Sequence, residues 1–271
     1  MSFYMQVSKL TTYVINLKKD IEKKKKMQVK LADFSFKYTF FDAVYGNDFD
    51  YRFFKGYNDY LRKLFLGRSL FKSELGSYES HKKIWQMMID KKIKIALILE
   101  DDIIFEKKFE AIVLKILDLN FDWELIRFLN TNKLKNFSTR PLVNIIDNVY
   151  VSRTPKMIAG GHAYLLTING AKKLIDLSKN HYHHFDLVMC ESWKNNLDSL
   201  VCYPGKVYQD PILGVDQTNH PRFIKPKKNF FTIYTFSRLI FKFYESFSKW
   251  SHFLSKFYLD YKLKKSLKNK F

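Results

Sequence analysis

Residues 94–105 read KIALILEDDIIF, and the fold turns on how this stretch changes character halfway along. Five apolar residues, Ile95-Ala96-Leu97-Ile98-Leu99, run straight into Glu100-Asp101-Asp102, after which Ile103-Ile104-Phe105 are apolar again. The apolar run is too short to span a membrane and suits a strand buried on both faces. Three carboxylates against such a strand repel one another and resist leaving water, so they call for a cation or a hydrogen-bond network. The carboxyl ends of central strands are also where open α/β sheets place ligands. A divalent metal carried with a phosphate-bearing substrate meets both conditions, because Mg2+ and Mn2+ take a few carboxylate oxygens beside phosphate and water. The plainer alternative is a solvated turn whose acids cap a following helix.

The rest of the chain bounds this reading. Its 271 residues make one large domain, or a domain with an appendage. A formal charge of +20, from 47 Lys and Arg against 27 Asp and Glu, favours anionic partners: nucleic acid, an anionic membrane or phosphorylated substrates. Cys190 and Cys202 make neither a metal pair nor a disulfide framework, and free thiols in a reducing cytoplasm account for them. The first residues lack the pattern of a signal peptide, and no stretch is long and apolar enough for a spanning helix.

Upstream of the acids, residues 11–17 (TTYVINL) read as a strand ending at Asn16, and residues 20–30 as a charged helix whose lysine run 23–26 is a solvated face. A second strand near residues 38–41 ends at Asp42 before a loop; strand, helix, strand suggests a parallel sheet. Residues 48–70 are ambiguous in pattern, their aromatics and Arg68 lining a variable lid or loop. Residues 73–92 form a helix with Leu75, Tyr78, Trp85 and Met88 inward and Glu74 at its positive end. Downstream, residues 107–119 are helical, residues 123–129 and 149–153 are strands, and Gly160-Gly161 precede a strand at residues 163–166. A helix over residues 169–177 takes Asn169 as its cap, residues 181–191 enter another helix led by Asp186, and residues 201–209 form a late strand.

The chain changes character at residue 222. The last 50 residues hold 13 Lys or Arg against two acids, with apolar residues at alternating steps of three and four from Ile233 to Tyr261. This predicts one amphipathic helix, or two joined, able to lie on an anionic membrane surface. A helix packed on the domain, or a coiled-coil seam, is the alternative.

Four stretches together resemble glycosyltransferase family 25, the bacterial lipooligosaccharide glycosyltransferases. They are Tyr13-Val14-Ile15-Asn16-Leu17; Glu74-Leu75-Gly76-Ser77-Tyr78-Glu79-Ser80-His81 with Trp85; Leu99-Glu100-Asp101-Asp102; and residues 160–166 (GGHAYLL) with residues 170–174 (GAKKL). The resemblance spans roughly residues 11–210 and leaves the basic tail outside. Ser77, where a small residue or Cys is expected, and His184-Phe185, where a Pro often precedes the acid, depart from the pattern. The resemblance implies an α/β, GT-A-like nucleotide-binding mixed sheet flanked by helices, placed over residues 1–221; residues 222–271, read from their own pattern, are the basic amphipathic helical tail. It implies transfer, with inversion, of a hexose, galactose above all, from a UDP-sugar donor to a lipooligosaccharide acceptor. An enzyme at the cytoplasmic face of the bacterial inner membrane, held there through its tail, follows.

Within that frame Asp102 is the expected ligand of Mn2+ or Mg2+, paired with Glu100 because alternate side chains of extended backbone point the same way. Glu100 or Asp101 would hold the ribose or a metal-bound water, and His220 would complete the metal site from a late loop. Asn16 and Asp42 would border the uridine, and Gly160-Gly161 would let backbone approach the sugar. Asp186 is the candidate general base, with Glu191 behind it; a helix-terminal acid is its bland alternative. Ser80 and His81 read as a buried pair holding the acidic strand. His181, His183 and His184 are expected to be solvated or to contact acceptor. A nucleic-acid-binding protein and a membrane-surface scaffold with an inactive transferase fold are the competing classes. No nucleic-acid module is recognised, and nucleic acid is not expected as a partner.

Overall fold

The computed structural model describes residues 10–119, 121–131, 134, 139–210 and 233–268. Ten strands are described, eight of them in one mixed sheet of order β2-β1-β3-β8-β5-β9-β7-β6. β1 (Thr11–Asn16), β2 (Tyr38–Asp42) and β3 (Ile95–Glu100) run parallel, with Ile15 beside Glu100 and Asn16 beside Asp42. β8 (Ala163–Thr167) is antiparallel to β3 and to β5 (Leu125–Phe128), and β9 (Ser199–Tyr203) is parallel to β5. The hairpin of β6 (Arg140–Ile146) and β7 (Val149–Arg153) closes the far edge. The carboxyl ends of β1, β2, β3, β5 and β9 therefore share one edge with the start of β8.

β3 is buried as its sequence demands: Ala96, Leu97, Ile98 and Leu99 are all fully inaccessible. Its pleat divides the core. Leu97 and Leu99 join Val14 and Leu165 against α1 (Ile21–Leu31) and α4 (Phe109–Asp118). Ala96 and Ile98 join Tyr13 and Ile15 against α3 (Lys72–Asp90) and α5 (Ile168–Leu177). The architecture is three layers, a mixed sheet between helices, compatible with a GT-A-like fold. The inward positions expected of α3, namely Leu75, Tyr78, Trp85 and Met88, are all buried.

The strand expected near residues 38–41 is present as β2, half-buried because it is the edge of the sheet; other elements differ from expectation. Residues 48–70 carry two 3-10 turns and α2 (Asp59–Leu66), capped by Asn58, whose side chain accepts the Leu61 N–H. The cap of α5 is Thr167 rather than Asn169: its hydroxyl accepts the Gly170 N–H. The late strand is two pieces, β9 and β10 (Val207–Gln209), and β10 pairs with β4 (Ile103–Phe105) in a separate two-stranded sheet. The hairpin strand β6 had no counterpart in the sequence reading.

The tail forms α8 (Ile233–Ser255) and α9 (Phe257–Lys268), two helices joined. Two short helices, α6 (Phe185–Val188) and α7 (Ser192–Asn195), precede the tail; α8 lies on α2 and α7, and α9 on β6. Phe241 stacks on Phe65 at 4.1 Å, and Asp260 accepts from Arg140 at 2.6 Å and from Arg153 at 3.0 Å. One face of the tail thus packs on the domain while the apolar stripe from Phe236 to Tyr261 stays largely exposed.

Candidate active site

β3 delivers the acidic triplet to the shared edge and ends there: Glu100 is its last residue, and Asp101-Asp102 form a turn before β4. The backbone turns after Glu100, yet Glu100 is the charge acting most strongly on Asp102, ahead of Asp101. The three carboxylates have different partners. Glu100 Oε1 lies 3.5 Å from His81 Nε2. Asp101 accepts from Asn16 Nδ2 at 2.6 Å and lies 3.8 Å from Lys23 Nζ. Asp102 Oδ1 is buried with no hydrogen-bond partner among the described residues. Burial, then the charges of Glu100 and Asp101, push the Asp102 carboxyl up to about 7. Burial also raises Glu100, against His162 and His184, and raises Asp101, against Asn16 and Lys23.

The support beneath Glu100 can be read proton by proton. The Trp85 indole N–H donates to Tyr164 Oη at 2.9 Å, and Tyr164 Oη lies 2.8 Å from His81 Nδ1. Tyr164 is fully buried, so its own proton goes to His81 Nδ1, and the imidazole proton sits on Nε2, facing Glu100. Burial holds His81 well below the usual histidine range, neutral. His81 is buried beside the acidic strand, as expected. Ser80 holds a different segment: its hydroxyl accepts the Val44 N–H and donates to the Gly76 carbonyl. Gly76 is where α3 meets the loop after β2, since a Cβ there would lie 2.5 Å from Gly46 N.

Across the edge, the Glu100 N–H donates to the His162 carbonyl at 2.9 Å, which fixes the glycine pair against the acids. The Gly160 N–H donates to Asp186 Oδ2 at 3.1 Å, and Asp186 Oδ1 lies 3.1 Å from His184 Nδ1. Arg127 donates to the carbonyls of Ile158, Gly160 and Asp186, tying the segment to β5. Burial works to raise Asp186, but His184, Arg127 and the Gly160 N–H together hold it below the usual carboxylate range. A Cβ on Gly161 would lie 2.2 Å from the Phe185 ring, so the second glycine seats the start of α6.

The remaining candidates lie apart from this cluster or at its rim. Asp42 is exposed beside Asn16 at the end of β2. Glu191 is buried with Lys194 at 2.9 Å and His183 at 3.8 Å, beside Glu245 of α8, a partner set distinct from that of Asp186. His220 lies outside the described residues. His181 and His183 are buried rather than solvated: His181 stacks on Tyr78 at 3.7 Å, and burial takes it down to about 3.

Sequence reasoning missed several participants. Lys23, within the run expected on a solvated face, meets Asp101, and Lys30, to which the sequence assigns no role, reaches Asp210 at 3.3 Å and the Ile103 carbonyl at 2.8 Å. The Asp210 N–H in turn donates to the Asp102 carbonyl at 2.6 Å. Arg127 was the detectable one, a lone cation in an otherwise apolar strand. Two surface clefts, of about 500 and 540 Å3, are lined by residues 155–158 with Ser246, Lys249 and Trp250, and by residues 105–108 with Asp147, Val149 and Lys206; neither includes Glu100, Asp101 or Asp102.

Residues 9–189 match the family model described as "Glycosyltransferase family 25 (LPS biosynthesis protein)". A "Glycosyltransferase 25 family member" of Drosophila melanogaster is 32% identical over 174 residues, 60% of this chain and 27% of that protein. "Procollagen galactosyltransferase 1-B" of Xenopus laevis is 26% identical over 176 residues, 60% and 28% of the two chains. "Probable inactive glycosyltransferase 25 family member 3" of Rattus norvegicus is 27% identical over 180 residues, 60% and 29% of the two chains. The match therefore spans less than a third of each relative's length. An acid-ended central strand, the glycine pair registered against it and a family match over two thirds of the sequence converge on one conclusion: this chain belongs to glycosyltransferase family 25.

Proposed function

We propose that this chain transfers a hexose, galactose in the first instance, from a UDP-sugar to a lipooligosaccharide sugar acceptor with inversion. The observation that carries the reading is Asp102: a carboxylate at the switch edge of the sheet, with Oδ1 unpartnered and its pKa raised to about 7 by burial and like charges. Such a group is stabilised by a cation. The residues fit a divalent ion of the magnesium or manganese kind, which takes one or two carboxylates and completes its shell with phosphate and water. Among the described residues no three His, Cys, Asp or Glu converge as a ready-made cage, in keeping with a site that phosphate completes. Asp102 would hold the ion with Glu100 adjacent; bound there, it would neutralise charge on the departing diphosphate.

This chain's residues supply the rest. Asn16 and Lys23 fix Asp101, and the bond from the Glu100 N–H to the His162 carbonyl fixes the backbone of Glu100, so the acids are held before substrate arrives. Inversion needs a base on the face opposite the leaving group. Asp186 has both oxygens engaged, so we assign proton removal to the His184–Asp186 pair. Asp186 orients the ring through Nδ1, and His184, still partly exposed, offers Nε2 to the acceptor hydroxyl.

A donor screen tests this, following UDP release across nucleotide sugars with and without Mn2+. Metal-dependent release from UDP-galactose, raised by a galactose-terminated acceptor, is the expected result. No turnover of any nucleotide sugar would leave a transferase fold without transferase activity.

A further inference from the structure

Two structural facts about the tail were not readable from its sequence. First, its apolar stripe faces water. Phe236, Ile240, Phe243, Phe247, Leu254, Phe257 and Tyr261 are each more than half exposed. Second, its acids do not share that face. Glu245 is turned to His183 and Lys249, and Asp260 to Arg140 and Arg153, with side-chain exposures of only 14% and 2%. Residues 236–266 contain no other acid. The outward surface is therefore apolar, aromatic and basic, with Lys242, Lys262 and Lys265 exposed on it.

We propose that this outward face of α8 and α9 docks on an anionic lipid bilayer, lying in the headgroup layer with its aromatic side chains inserted. Charge complementarity selects this occupant. A second copy of the chain, paired through a two-fold axis, would bring lysines against lysines with no acid on either face to neutralise them. An anionic headgroup layer neutralises them all and takes up Phe, Trp and Tyr at the same depth. α8 is about 35 Å long, enough to lie along such a surface. No helix among the described residues is long and apolar enough to cross the membrane. The buried ion pairs hold the helices to the domain, so docking would orient the whole molecule. The proposal does not depend on the transferase reading.

The test is flotation of the full chain with phosphatidylcholine vesicles, with and without added phosphatidylglycerol, over a salt series. Binding to the anionic vesicles only, weakening with salt, is expected, with a blue shift of Trp250 emission that Trp250→Phe removes. Phe243→Ser with Phe247→Ser, both at solvent-exposed positions, should keep the far-ultraviolet circular dichroism and weaken partition roughly a hundredfold. Equal binding to neutral vesicles, or unchanged partition of the double variant, overturns the proposal. So does a concentration-dependent dimer in sedimentation equilibrium that the same double variant dissolves, since a second copy would then be the occupant.

Discussion

His184 Nδ1 lies 3.1 Å from Asp186 Oδ1, while the other oxygen of that carboxylate accepts the Gly160 N–H. The two residues are a unit, and their variants should separate by pH. His184→Gln removes the base and should cut kcat by about 10^2- to 10^4-fold at every pH. Asp186→Asn leaves the ring but frees its orientation; it should also lower kcat, with the acidic limb of the pH–rate profile displaced, because a base is lost when it is protonated. An unchanged profile in both variants removes the pair from proton transfer.

Asp102→Asn separates catalysis from stability. Losing the charge should slow turnover roughly a thousandfold, about 4 kcal/mol of transition-state stabilisation. The same change relieves a buried repulsion with Glu100 and Asp101, so the metal-free variant should melt no lower than the parent at neutral pH. Steady-state rates and a thermal melt on one preparation read both quantities.

The pH dependence follows with a definite sign. The folded-state pKa of Asp102, about 7, lies above the unfolded value near 4, so the folded chain binds the extra proton between those limits. This group therefore removes stability as pH rises from about 4 to about 7, and Asp102→Asn should flatten that slope. A divalent ion needs the ionised form, so its melting-temperature gain should be larger near pH 7.5 than near pH 5.5. Equal gains at both values detach the ion from Asp102.

Asp260 is the charge on which the tail's docking to the sheet depends. Its carboxylate is 2% exposed and shared by Arg140 and Arg153, and Arg153 also holds Asp198 at 2.6 Å. Asp260→Ala leaves two arginines short of a partner in a buried place and should cost about 3–5 kcal/mol. Urea denaturation with protease digestion should show cleavage of the tail before global unfolding.

Gly161→Ala tests the seat of α6. The added methyl would sit 2.2 Å from the Phe185 ring, which stacks on His81 at 3.7 Å. The expected cost is about 1–3 kcal/mol of stability, with activity reduced because His81 and Glu100 shift together. Phe185→Leu in the same chain should recover part of it.

What the sequence disclosed was set by local pattern. The run Ile95 to Leu99 declared a doubly buried strand because nothing in it tolerates water, and α3 showed its face through Leu75, Tyr78, Trp85 and Met88. The acids were legible because apolar residues bracket them. Lys23 and Lys30 were not, since a lysine that meets a carboxylate across the fold looks like any solvated lysine. The partner of Asp101 was hidden too, because Asn16 lies 85 residues away along the chain. Strand β6, with Pro141 and two register shifts against β7, lacks the regular alternation that would announce it.

The bond from the Glu100 amide to the His162 carbonyl has a consequence for divergence. It joins two positions 62 residues apart through main-chain atoms alone, so the spacing between the acid end and the glycine end is indifferent to which side chains are present. Drift can replace the groups that touch substrate while the scaffold beneath them stays put. A lineage built on this frame can fall silent, or acquire a new sugar, without first having to refold.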